Sequence, residues 1–313
     1  MEYKVKLISQ EKKREFMKSL NLRQLYQAKA EIHGTCIKLL TDNKEFRNMW
    51  VENFKGMLET IRPHGRIFCI CTKSKKMSVE YEPLSNTLIV KNCDYYGLLK
   101  SVALALVADF IEKFTSEHRR YSLHTSYVDS AGGGVCMMGL SKSGKTTLTY
   151  GLMLEKKYNF VTDDWIFVRL YDNEIVVNSS EKNSYIRDDL GEVWGEYKDR
   201  IKNIKFDKYS RSILDVTKLF GDGRVRKESV MTALVLLKRD KKDRIPFRKL
   251  SAKEALDFLI KNDFCNPHML VRNKEKKMLR VEFFKELISR TDVYMLNTIE
   301  TPQESLEHLK KLF

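Results

Sequence analysis

A chain of 313 residues with 57 Lys and Arg against 42 Asp and Glu carries a net charge of +15, and at 42% apolar residues it is too rich for disorder and long enough for two domains. Its longest apolar runs, residues 102–108 and 233–237, fall far short of the roughly 18 residues of a membrane span. Lys4 and Lys6 stand where a secretory signal needs an apolar core, so the expectation is a cytoplasmic protein with no membrane partner.

Six scattered cysteines exclude a disulfide framework. Cys69 and Cys71 lack the second ligand pair that zinc requires, so they read as small apolar side chains on a buried strand. The charge marks either a polyanionic partner such as RNA or a lysine-rich solvated surface. The basic clusters at 73–76, 238–244 and 272–277 carry no aromatic-flanked motif of an RNA-binding fold.

In chain order, residues 32–40 read as a strand. A helix over 43–58 follows, with Phe46, Met49, Trp50, Phe54 and Leu58 at helical spacing. Residues 66–72, 77–81 and 87–91 are strand-like, with turn residues at 83–86. Asp94 then suits an N-cap for a helix over 95–114, apolar on most of its circumference and so expected between layers. The polar stretch 115–120 divides an N-terminal α/β domain, 1–118, from a second domain, 119–313.

The second domain opens on residues 121–128, the glycines Gly132 to Gly134 and a short apolar strand at 135–138. Residues 139–146 then read Gly-Leu-Ser-Lys-Ser-Gly-Lys-Thr, which fits G-x-x-x-x-G-K-[ST], and a helical pattern follows from Thr147. Gly139 and Gly144 let the backbone turn its N–H groups inward around phosphate oxygens. The helix N-terminus adds partial positive charge. Lys145 supplies a mobile cation, and the Thr146 hydroxyl suits a Mg²⁺ ligand. Ser141, Ser143 and Thr147 complete the expected nucleotide-binding set.

Asp163 and Asp164 interrupt an apolar run over 158–168, as acids do at a strand end. Beside a metal-bound triphosphate, one carboxylate can hold the metal while the other accepts a hydroxyl proton. A tail strand at 293–296 and a helix over 302–312 close the chain.

The segment from His124 to Thr146, with Gly139 fifteen positions after His124, resembles the His–strand–P-loop unit of the HPr kinase/phosphorylase group. More widely it resembles the phosphoenolpyruvate carboxykinase superfamily of P-loop proteins. Val161-Thr-Asp-Asp164 is similar to that family's paired aspartates, and residues 213–221 with Arg226 are similar to the end of its signature. The resemblance covers residues 121–230; the residues before it match no part of that family, and neither does the first half of the signature.

The resemblance implies an α/β P-loop kinase domain of the HPr kinase type with an additional N-terminal α/β domain. Lys145 and Thr146 would be the ATP and metal residues, Asp163 and Asp164 the catalytic and metal carboxylates with Asp164 as metal ligand, and His124 an active-site partner. Arg226 would contact phosphate or substrate. The activity implied is ATP- and Mg²⁺-dependent transfer of the γ-phosphate to a hydroxyl, a Ser or Thr of a protein or peptide. Kinases of a small hydroxylated metabolite or of RNA are alternatives, and a non-catalytic ATP sensor is another. The family also implies a homo-oligomer. Arg187, Asp188, Asp189, Glu192 and Trp194 lie in an inserted segment that reads as a lid or a surface loop. Arg211, Arg224 and Lys227 read as further phosphate partners or as a solvated face.

Overall fold

The strand-like segments of the first third assemble into one sheet. The computed structural model describes residues 3–20, 24–74, 76–113, 119–172 and 174–313. It shows a mixed α/β chain of two units, one of residues 1–114 with 181–183 and 268–272, the other of 115–180, 184–267 and 273–313. The expected linker at 115–120, and Phe114 before it, lie outside the described residues up to residue 118.

The strands of the first unit are β1 (Val5–Leu7), β2 (Tyr26–Ile32), β3 (Thr35–Thr41), β4 (Lys55–Gly56), β5 (Gly65–Ile70), β6 (Ser78–Glu82) and β7 (Thr87–Lys91). They lie in the order β1-β6-β7-β5-β3-β2-β4, parallel at β1/β6, β3/β5 and β5/β7. Residues 32–40 are not one strand. His33 and Gly34, with φ of 48° and 75°, turn the chain between β2 and β3. Two positive φ values are what a two-residue hairpin with the native twist requires, and Gly34 accepts one without strain.

Helix α2 (Lys44–Asn53) starts at Asn43, whose side chain accepts the Phe46 N–H, and buries Phe46 and Trp50. It stops earlier than its apolar spacing suggests: Phe54 turns extended and Leu58 is exposed. Helix α3 (Tyr96–Lys113) is buried nearly all round, as its apolar circumference demands. Helix α1 (Gln10–Lys18) sets Phe16 edge-on to Phe68 of β5. Cys69 is buried on β5, whereas Cys71 lies past the strand end and is exposed, which corrects its reading as a core residue.

In the second unit, β8 (Arg120–Ser130) and β9 (Gly133–Gly139) form a hairpin, and β9 leads through residues 140–144 into helix α4 (Lys145–Leu152). The sheet continues with β10 (Asn159–Thr162), β11 (Trp165–Leu170) and β12 (Ile175–Ser179), while β13 (Ser184–Arg187) and β14 (Arg211–Leu214) pair apart from it. Strands β15 (Glu228–Lys238), β16 (Phe247–Lys249) and β17 (Asp292–Asn297) complete it. Strand β15 is parallel to both β9 and β17, so the C-terminal ends of three strands meet at one edge. Open parallel sheets bind ligands at such an edge.

Among the described residues no helix is long and apolar enough to cross a membrane.

Candidate functional site

The spacing between His124 and Gly139 is a hairpin register. Thr125 pairs with Met138, and one step further along the same ladder stands His124 beside Gly139. On the other side of β8, His124 pairs with Trp165, and the Thr125 N–H donates to the Asp164 carbonyl at 2.9 Å. The histidine is thus set between the start of the glycine-rich loop and the break that carries Asp163 and Asp164. That break falls where β10 gives way to β11 along β8.

The His124 ring is fixed at both nitrogens. Nδ1 is 3.0 Å from the Cys265 carbonyl oxygen, and Nε2 is 3.2 Å from Asp164 Oδ1. A carbonyl only accepts, so Nδ1 carries a proton there; Nε2 faces the carboxylate, and a hydrogen bond between those two needs a further proton on Nε2 or on Asp164. Sequence reading missed Cys265, which comes 141 residues later. It sits in a turn where Asp263, Phe264 and Cys265 have φ of 50°, 54° and 52°, a run that costs on the order of 1–3 kcal/mol per residue. Phe264 stacks on Phe284 with rings 5.4 Å apart, and the Cys265 and Asn266 N–H groups bond back to Asn262 and Asp263. Packing and local hydrogen bonds hold the strained turn that presents the carbonyl.

The loop itself needs its glycines. Gly144 has φ of 101°. A Cβ on Gly139 would lie 2.6 Å from Ser143 Oγ and 2.7 Å from the Leu237 carbonyl. Lys145 turns its ammonium back onto the loop, donating to the Gly139 carbonyl at 2.6 Å and the Leu140 carbonyl at 3.2 Å. Burial lowers the Lys145 pKa, with Asp164, Cys265 and Asp163 pulling it the other way. The buried Cys265 thiol is pushed up to about 11 by desolvation, against the pull of Lys145.

Two observations fit this loop to a polyphosphate. Ser143 is buried, and its Oγ has no hydrogen-bond partner among the described residues. An orphaned buried hydroxyl is expensive, and an anion in the loop would satisfy this one; the Ser126, Tyr158 and Ser305 hydroxyls also lack a hydrogen-bond partner among the described residues but lie outside the loop. The Lys145 ammonium spends its hydrogen bonds on carbonyls of the same loop, with no carboxylate within ion-pair distance among the described residues. Thr146 and Thr147 follow at the helix start, both half-buried, and Ser141 is exposed at the rim. The ligands that the resemblance implies for a divalent cation, the Thr146 hydroxyl and one aspartate, are few enough to suit Mg²⁺, which keeps waters and phosphates in its shell.

Other expected partners lie elsewhere. Arg224 donates from Nε and Nη2 to the carbonyls of Met153, Glu155 and Tyr158, so it ties down the segment after α4. Arg211 bonds the Tyr185 carbonyl and lies over the Tyr185 ring. Both are structural. Lys227 and Arg226 are exposed; the Arg226 N–H donates to the Phe160 carbonyl, and its guanidinium engages no described residue. In the inserted segment Trp194 is 5% exposed, its Nε1 donates to the Thr147 carbonyl at 2.8 Å and its ring covers Gly151, so this part packs on α4 rather than closing as a lid. Arg187 and Asp189 pair on the surface, and Asp188 and Glu192 are carried beside them.

Two further residues stand next to the loop. Thr298 Oγ1 donates to the Ser143 carbonyl at 3.1 Å, and Arg239 Nε donates to the Thr298 carbonyl at 3.0 Å. Neither carries a sequence signal. Only the order β9-β15-β17 brings positions 143, 239 and 298 together.

No family model and no curated protein matches the sequence. Among solved structures, one similar to this chain is the Hpr(Ser) kinase/phosphatase from Coxiella burnetii, at 15% identity over 61% of this chain and 88% of that one, with a TM-score of 0.35. A likeness that distant carries no argument about activity, and the chemistry must come from the residues themselves.

Proposed function

We propose that the protein is an ATP- and Mg²⁺-dependent kinase that transfers a phosphoryl group to a hydroxyl. The observation that carries this is that the β8–β9 register sets His124, which faces Asp164, beside the start of the loop that carries the orphaned Ser143 Oγ and the Lys145 ammonium. A pure binding loop has no use for a carboxylate–imidazole pair at its mouth; a transfer reaction has to put a proton somewhere.

When bound, ATP with Mg²⁺ supplies the transferable phosphoryl group and the charge neutralisation it needs. The loop N–H groups, the Ser143 hydroxyl and the start of α4 hold the anion, and Lys145 leaves the Gly139 and Leu140 carbonyls for it. Thr146 and Asp163 form the metal side in this reading. Asp164 takes the proton of the acceptor hydroxyl, and His124, with Nδ1–H held by Cys265, keeps Nε2 aimed at that carboxylate. This division moves Asp164 from the metal side, where the family resemblance puts it, because its Oδ1 already faces an imidazole nitrogen. The acceptor, by the same resemblance, is a Ser or Thr of a protein or peptide.

Incubation with γ-labelled ATP and fractionated lysate tests the activity and separates protein, metabolite and RNA acceptors. Asp164→Asn is expected to lower turnover about 10²–10⁴-fold while ATP still binds, and Asp163→Asn to weaken binding only when Mg²⁺ is present. Undiminished labelling by both variants would refute the mechanism. Binding of ATP with no label transferred to any fraction would leave the sensor reading.

A further inference from the structure

Arg239 is exposed and directly follows the C-terminal end of β15, the strand beside the one that feeds the glycine-rich loop. Leu237 is in register with Gly139, so Arg239 lies two residues beyond the level at which that loop begins. Its side chain is anchored at one atom. Nε donates to the Thr298 carbonyl at 3.0 Å and lies 3.4 Å from Thr298 Oγ1. That hydroxyl reaches the Ser143 carbonyl at 3.1 Å, and a Cβ on Gly144 would meet Thr298 Cγ2 at 3.5 Å. Two hydrogen-bond lengths therefore separate the guanidinium from the loop backbone, while both Nη groups carry no hydrogen bond or ion pair among the described residues.

The surroundings present this arginine without neutralising it. Asn297 is fully buried; its Nδ2 donates to the carbonyls of Asp240 and Asp243 at 2.9 and 2.7 Å, and its Oδ1 accepts the Asp240 N–H at 2.8 Å. The turn after β15 is thereby fixed from beneath. Its carboxylates are otherwise engaged: Asp243 pairs with Lys238, and Asp240 Oδ1 accepts the Lys242 N–H at 2.9 Å. An arginine held through Nε on a residue that also holds the loop, with its two-pronged end uncommitted, has the geometry for bidentate recognition of a phosphate.

We infer that Arg239, positioned by Thr298 and the Asn297-fixed turn, is a second cation for the polyphosphate of the bound nucleotide, alongside Lys145. The inference rests on the nucleotide-binding reading of the loop. It gives the cation a place on the neighbouring strand, where it acts on the phosphates independently of the His124–Asp164 proton pair.

Equilibrium titration of the full chain with Mg²⁺-ATP, read by calorimetry at several salt concentrations, tests it without reference to turnover. Arg239→Ala is expected to weaken ATP about tenfold to a hundredfold, the worth of a hydrogen bond to a charged group. The variant should also show a shallower salt dependence than the wild type. Arg239→Lys, which keeps the charge and loses the Nε anchor and the fork, should recover part of the affinity. Thr298→Val should fall between wild type and Arg239→Ala. If Arg239→Ala binds ATP as the wild type does while Lys145→Ala loses it, the inference fails and the nucleotide reading stands. Wild-type protein that binds no nucleotide overturns both.

Discussion

Two lysines, one in each unit, show how differently the two sheets treat buried charge. Lys100 of α3 is 3% exposed and meets Glu181 at 3.1 Å, with both side chains 4% exposed and the Asn53 amide donating to the same carboxylate. Lys145 of α4 is half-buried and bonds only carbonyls of its own loop. The first unit repeats its pattern: Asp109 receives the Tyr81 hydroxyl and Lys113, and Glu82 receives Lys13 and two backbone N–H groups. Charges there are closed into pairs, which is what a core demands of them. In the second unit, three groups without a charged partner stand near one strand edge: Ser143 Oγ, the Arg239 Nη atoms and an ammonium that bonds only carbonyls of its own loop. Closed pairs mark structure, and the open cluster is what the proposed nucleotide-binding reading builds on.

If that contrast is right, the largest effect of a single lysine change belongs to the first unit. Lys100→Ala strands the Glu181 carboxylate in a buried site and is expected to cost about 3–5 kcal/mol. Replacing both partners with apolar residues of similar size, Lys100→Met with Glu181→Leu, should return most of that loss, because the desolvation penalty disappears with the pair. Denaturant midpoints of the three proteins measure both. A single variant as stable as the wild type would break the comparison.

A smaller effect is expected behind the loop. Gly151 of α4 lies under the Trp194 ring, and a Cβ there would stand 2.4 Å from it. Gly151→Ala gains up to about 1 kcal/mol of helix propensity. Overpacking a fixed tryptophan costs about 1–3 kcal/mol, so the net sign is destabilising. Trimming the ring with Trp194→Leu in the same chain should reverse the sign of the alanine substitution, since the clash goes and the propensity remains. Thermal melts of the four proteins in this cycle show the reversal or its absence.

The legible parts of this molecule are those written locally. The glycines and Lys145 announce the loop because their spacing is the backbone geometry, and His124 stands fifteen residues before Gly139 because a hairpin register holds it there. The paired aspartates were legible as a break in an apolar run. The hairpin at His33 was missed because a histidine at positive φ gives no sign of itself beside apolar neighbours. Cys265, Thr298 and Arg239 were missed for another reason. They reach the loop through strand order and a strained turn, across as many as 155 residues of chain, and no spacing rule spans that. Arg211 and Arg224 show the converse: their charge suggested phosphate, and their geometry gives them to carbonyls.

The smallest effect, and the one that most sharpens the contrast, is expected at Lys145 in the nucleotide-free protein. Burial lowers its pKa below 10.5, so the folded chain holds this proton less tightly than the unfolded chain does. Where the unfolded state binds more protons, stability rises with pH. The charged lysine therefore weighs against the fold at neutral pH, and that penalty lifts as pH climbs from the depressed value toward 10.5. Lys145→Met is accordingly expected to be slightly more stable than the wild type near neutral pH, with the difference shrinking through the alkaline range. Adding Mg²⁺-ATP should reverse the order, raising the melting temperature of the wild type and leaving the variant unmoved. A Lys145→Met protein less stable than the wild type at every pH would mean that the loop carbonyls fully compensate the ammonium, and that Lys145 is as closed as Lys100.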